Sequence, residues 1–236
     1  MFLTISILIF STILGGLSLR LFPEGKRDIR FPLIFAGSYL LAITIIHIIP
    51  ELYTMSSNPS HIGLYVLAGF FLQQILEYFS SGIEHGHVHK HKAISSSGRA
   101  SIVIALIIHS LLEGTLLTHD SPFHDKHESH SLLLGIVLHK MPAAFALMAT
   151  MQGLGKKAFY ILILFSLASP IGLLLSDHVL FSENAVLNVF AIVCGCFLHI
   201  STTIFVESSP EHHFGFKKIL ISLSGALLAI IAEYLI

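Results

Sequence analysis

Eight long apolar stretches joined by short polar connectors constrain this chain more than any other feature. They run approximately over residues 2–20, 31–51, 62–82, 101–118, 131–151, 158–177, 185–206 and 217–236. A helix needs about 20 mostly apolar residues to cross the hydrocarbon core of a bilayer, and each stretch is close to that length. Inside lipid every backbone N–H and C=O must be satisfied within the chain, which leaves helices or a closed barrel. The runs are continuous rather than alternating with period two, so they predict helices. The expectation is an all-α polytopic bundle, a single transmembrane domain over 1–236 with no soluble domain. Composition agrees: 54% of residues are hydrophobic and 11% charged, with mean hydropathy +0.81. A water-soluble fold of this size could not hide that much apolar surface. The first stretch has no basic segment before it and no clear small-residue cleavage site after it, and it reads as a retained helix; an uncleaved signal-anchor would look the same.

Lys and Arg fix the expected orientation. The first connector carries Arg20, Lys26, Arg27 and Arg30, the third Lys90, Lys92 and Arg99, the fifth Lys156 and Lys157, and the seventh Lys217 and Lys218. The even connectors carry only Lys126. By the positive-inside rule the odd connectors face the cytoplasm and both termini lie outside. The expected location is a cell membrane, crossed several times. A net charge of −1 and the lack of a basic aromatic surface give no support for nucleic-acid binding. Cys194 and Cys196 fall within the seventh stretch on different sides of a helix, so neither a disulfide framework nor a cysteine zinc site is implied.

Histidine carries the chemistry. The chain has 16 of them, some inside apolar stretches and some in two His-rich connectors. An ionisable side chain in lipid is costly and normally faces a partner or a pathway. In the fourth stretch, His109 and Glu113 lie four residues apart and share a helix face. Imidazole nitrogen with carboxylate oxygen suits zinc, and also iron, manganese or cobalt. Alone, the pair reads equally well as a hydrogen-bonded tie between two helices. The fifth stretch shifts the balance: His139-Lys140-Met141-Pro142 puts another imidazole at mid-depth, and Pro142 frees the Leu138 carbonyl beside it. Freed carbonyls next to ligands are used for cation coordination in discontinuous transporter helices. A simple kink with a packed histidine is the alternative.

These residues resemble the ZIP family of zinc and iron transporters. His109-Ser110-Leu111-Leu112-Glu113-Gly114 is similar to that family's fourth-helix signature, and His139-Lys140-Met141-Pro142-Ala143-Ala144 to a bacterial-type fifth helix. His47-Ile48-Ile49-Pro50-Glu51 and Ala168-Ser169-Pro170 are weaker matches. The resemblance implies transport of a divalent metal toward the cytoplasm through a site between the fourth and fifth helices. His109, Glu113 and His139 would be its primary ligands. It also implies a frequent homodimer. Many relatives hold a second metal, using a polar residue at the position of Ser110 and an acidic or amide residue at that of Lys140. The ammonium of Lys140 offers no lone pair, so it is expected to substitute for that second cation. Ala143 stands where many relatives have a further glutamate. A fourth ligand must then come from water, backbone, Ser110 or another helix, with His47 and Glu51, or His199, Thr203 and Glu207, as candidates. For each of these sets, interhelical hydrogen bonding or interfacial placement is the more ordinary reading. Glu77, Ser81 and His85 share a face and suggest an exit route.

The connector over 84–99 gathers His85, His87, His89 and His91, which could hold metal weakly and exchangeably. The connector over 119–130 is similarly rich in histidine and acid and could concentrate metal at an entrance; a solvated polar connector is the alternative for both. No HExxH, Walker A, nucleophile elbow or GxGxxG is present, which disfavours nucleotide-driven pumping. The expected substrate is zinc, or iron, manganese or cadmium, with no prosthetic group and with the lipid bilayer as surroundings. Two other classes stay open: an intramembrane zinc hydrolase using a metal-activated water, and a metal-sensing or storage membrane protein.

Overall fold

The computed structural model describes residues 1–22, 29–83, 95–117, 128–179, 183–207 and 215–235. The His-rich stretch containing His85, His87, His89 and His91, and residues 119–127 of the second, lie outside the described residues.

Among the described residues, eight helices are long and apolar enough to cross a membrane. They are α1 (Phe2–Leu17, continued by a 3-10 turn at Ser18–Leu21), α2 (Arg30–Met55), α3 (Pro59–Ser80), α4 (Ser96–Thr115), α5 (Glu128–Met151), α6 (Lys156–Val179), α7 (Glu183–Glu207) and α8 (Phe216–Leu235). The all-α polytopic architecture read from the eight apolar stretches is the one observed. Helix starts follow local chemistry. Asn58 caps α3 through the His61 N–H, with Pro59 in the first turn, and Ser95 caps α4 through the Gly98 N–H. Such caps satisfy N–H groups that no earlier turn can reach.

One irregularity departs from expectation. Pro142, read from the sequence as freeing the Leu138 carbonyl, lies inside α5, which continues through it as one α-helix. The irregularity falls in α2, where Thr44–Ile48 form a π turn containing His47. Pro50 follows after one residue, Ile49; it has no N–H to give and crowds the carbonyl four residues back, which favours a widened turn there.

The helices associate in four close pairs: α3 with α7, α2 with α8, α4 with α6, and α1 with α5. Lipid tails are as apolar as leucine, so helices gain from contact through close packing, which small residues permit. Glycine sits at each crossing. A Cβ on Gly114 would lie 2.0 Å from the Ser169 carbonyl oxygen, and one on Gly172 2.0 Å from that of Leu111, so α4 and α6 notch into each other reciprocally. Gly69 and Gly195 do the same for α3 and α7, while Gly15 meets α5 and Gly225 meets α2.

The apolar interior falls into two clusters, and α5 runs through both. Leu132 and Ile136 belong to the first, with Leu8, Tyr39 and Phe197. Ala143 to Met148 belong to the second, with Leu162 and Phe165. Between these two parts of α5 lie His139 and Lys140, both buried.

Candidate metal centre

The i, i+4 spacing on α4 stacks His109 over Glu113, with Nε2 3.0 Å from Oε1. From α5, His139 brings its Nε2 to 3.9 Å from the same carboxylate oxygen. The two imidazoles meet edge to face at 5.8 Å between centroids. All three side chains are buried, and one donor atom from each lies within 4.8 Å of the others. In a tetrahedral zinc site with bonds of about 2.0 Å, neighbouring donors stand about 3.3 Å apart, so both observed separations are within reach of such a geometry. Two imidazole nitrogens and one carboxylate oxygen can therefore hold a borderline divalent cation. Among the described residues no fourth His, Cys, Asp or Glu joins this cluster.

The helices that supply these ligands, α4 and α5, are not among the closely packed pairs. Their polar side chains meet across the space between them. Gln73 of α3, also buried, reaches in from a third helix, with its Oε1 3.1 Å from His109 Nδ1. With the amide oxygen accepting, Nδ1 carries a proton and Nε2 turns its lone pair toward Glu113. This is how an outer partner fixes the tautomer of a metal-binding histidine.

The second carboxylate oxygen of Glu113 faces Lys140, whose Nζ lies 3.5 Å away. The ammonium also donates to Ser110 and Ser169 and lies 4.7 Å from the centre of the Phe165 ring. Ser169 in turn donates to the Ser110 carbonyl at 2.8 Å. A buried ammonium thus has a carboxylate, two hydroxyls and an aromatic face around it, the kind of pairing a charge needs away from water.

The other candidates go elsewhere. His47 does not join the three-residue cluster. Its Nε2 lies 3.3 Å from Glu51, and its Nδ1 lies 2.8 Å from Glu233 of α8. Glu233 also accepts from Ser131 of α5 at 2.8 Å, and Tyr39 donates to the Ser131 carbonyl at 2.8 Å. His199 pairs with Glu77 at 2.5 Å and lies 3.4 Å from Thr203. That contact sits one turn along α3 from Gln73. Ser81 is an exposed αL residue closing α3, while His85 and the side chain of Glu207 lie outside the described residues.

Reading the sequence missed Gln73 and Glu233. Both announce themselves as polar residues inside apolar stretches. Their partners, His109 and His47, are 36 and 186 positions away in the chain, and no spacing rule connects them.

Fold and site together define an all-α polytopic membrane protein with a buried nitrogen and oxygen cluster at the heart of its bundle. Among curated proteins, the chain is similar to zinc transporter ZIP9 of Xenopus tropicalis and zinc transporter ZIP9-A of Xenopus laevis. Each is 26% identical over 167 residues, which cover 66% of this chain and 54% of the relative. Zinc transporter ZIP9 of Micropogonias undulatus is 25% identical over 161 residues, covering 64% of this chain and 51% of the relative. The chain thus spans about half the length of the curated relatives it matches. No family model matches it.

Proposed function

We propose that this chain is a ZIP-type transporter that carries a divalent cation, zinc first, across a membrane through the site formed by His109, Glu113 and His139. The observation that carries the reading is the burial of two imidazoles and a carboxylate, donor atoms within 4.8 Å, between two helices that do not pack closely on each other. The zinc transporters to which the chain is similar support it at the level of transport. An enzymatic role has no such support.

Movement is proposed to be toward the side rich in Lys and Arg, by alternating access. The cation arrives from the side bearing His47, Glu51 and Glu233, sheds water at the three ligands, and leaves toward Glu77 and His199. Water or backbone supplies the remaining coordination, because Ser110 is engaged by Lys140. Lys140 stands in for a second cation, so one metal occupies the site at a time. A multi-pass location in a bacterial inner membrane and assembly as a homodimer complete the proposal.

The test is radioactive zinc uptake into sealed proteoliposomes, with His109→Ala as the control and a lipid-hydrolysis assay on the same sample. Uptake that depends on His109 supports transport through this site. Tight zinc without flux, or hydrolysis that depends on His109, would overturn it.

A further inference from the structure

A cavity of about 630 Å³ opens between the end of α1, the end of α5 and the start of α6, away from the metal-ligand cluster. Its buried lining is apolar and includes Leu19, Met148 and Ala158. Its exposed lining includes Arg20, Lys156 and the aromatic Phe159 and Tyr160. Among the described residues neither Arg20 nor Lys156 is ion-paired.

The place of this cavity says what can fill it. It lies at the level where the helices end, on the side where Lys and Arg concentrate. The positive-inside rule makes that the cytoplasmic face, whose leaflet is rich in anionic lipid. Two cations on one cavity repel each other unless an anion lies between them, and a phosphate accepts from both an Arg and a Lys. A small inorganic anion would satisfy the charges but leave the apolar wall facing water. A zwitterionic lipid brings its own ammonium to a site that is already positive.

We infer that the cavity between α1, α5 and α6 is a binding site for an anionic phospholipid. The phosphate sits between Arg20 and Lys156, and an acyl chain lies along Met148 and Phe159. The long stems of Arg20 and Lys156 let both charges reach headgroup level while their methylenes cover apolar surface. The exposed ring of Tyr160 stands near the start of α6, the position interfacial tyrosines favour because an apolar ring carries a polar hydroxyl.

The test measures lipid retained by the purified full chain after extraction from bilayers of equal phosphatidylglycerol and phosphatidylcholine, read by mass spectrometry. Wild type should keep phosphatidylglycerol in preference to phosphatidylcholine. Arg20→Gln with Lys156→Gln should lose it by on the order of fivefold for each basic side chain removed. Lys217→Gln with Lys218→Gln, the same change of charge on the same side, should keep the wild-type value. Lys156→Gln alone alters one exposed side chain, so it reports even if the double variant folds poorly, and it should show the single-residue effect. Added inorganic phosphate should not displace the lipid. Equal retention of both lipids by wild type, an equal loss in the Lys217 and Lys218 variant, or displacement by inorganic phosphate would each overturn the site.

Discussion

Glu113 is the hub of the buried cluster, and replacing it separates the structural role of the site from its proposed role in binding metal. One carboxylate oxygen faces His109 and His139, and the other faces Lys140 at 3.5 Å. Two unit charges at that separation attract by about 5 kcal/mol at an effective dielectric of about 20. Breaking a buried pair by removing one partner costs about 3 to 5 kcal/mol, because the remaining charge is left buried. Glu113→Gln should therefore destabilise the protein by a similar amount, a fall in Tm on the order of 10 °C for a chain of this length. Zinc binding should be lost as well, since an amide oxygen carries no charge.

The second variant makes the argument refutable. Adding Lys140→Met to Glu113→Gln removes the orphaned ammonium, and replacing a whole buried pair by neutral groups is often neutral or stabilising. The double variant should recover most of the lost Tm while still failing to bind zinc. The assay is thermal unfolding in detergent beside zinc binding to the same preparations. If Glu113→Gln is as stable as wild type, or if Lys140→Met fails to restore stability in its background, the pairing is not what holds this part of the core. If either variant still takes up zinc, Glu113 is not a ligand.

Lys140→Asp should create a second metal position beside Glu113, Ser110 and Ser169, read as two zinc ions per chain rather than one by equilibrium dialysis; unchanged stoichiometry would count against the proposed role of the ammonium. Gln73→Leu should weaken zinc binding by about 10 to 100-fold by releasing His109 from its orientation, as outer partners of metal-binding histidines typically do. Gln73→Glu, which keeps an acceptor for Nδ1, should retain most of the affinity in the same titration. Gly114→Leu should force α4 from α6, since even a Cβ there meets the Ser169 carbonyl oxygen at 2.0 Å; a loss of stability larger than the ~1 to 3 kcal/mol of ordinary overpacking is expected, read by thermal unfolding. Zinc uptake at fixed free zinc should weaken as the medium is acidified, because protons and metal compete for the same lone pairs of His109 and His139; uptake that rises with acid would contradict the ligand set.

What was legible in the sequence follows from the range over which each signal acts. Membrane helices are specified locally, by about 20 apolar residues in a row, and all eight were visible. His109 and Glu113 were visible as neighbours because four residues are one helical turn. His139 stood out because a histidine followed by Lys140 and Pro142 is unusual inside an apolar stretch. Gln73 and Glu233 were no less conspicuous as residues, but which helices face each other is set by where glycines let backbones touch. Gly114 with Gly172 and Gly69 with Gly195 act between distant segments. The π turn at Thr44–Ile48 was not anticipated, for a related reason. Pro50 and Pro142 both remove an N–H donor, and packing decided that the turn in α2 widened while α5 stayed regular. Pro142 follows directly on Met141, whose backbone is the contact for Gly15 of α1, so α5 is braced at that level.

The same pairing bears on how a cation could pass. His109, Glu113, Ser110 and Ser169 all belong to the notched pair of α4 and α6, whereas His139 and Lys140 belong to the pair of α1 and α5. Gln73 comes from a third pair, α3 with α7, which also holds the Glu77 and His199 contact. Close glycine contacts make each pair costly to separate, since backbone packed on backbone has no side chain that can rearrange. The contacts between α4 and α5 at the site are side-chain contacts, which can be remade over a short displacement. A shift of one pair against the other would pull His139 away from His109 and Glu113 without breaking either pair. Such a shift would strip one ligand from a three-ligand cation and expose it to the side where Glu77 and His199 lie. The alternating access proposed above thus asks the fold to give only where it is joined by side chains.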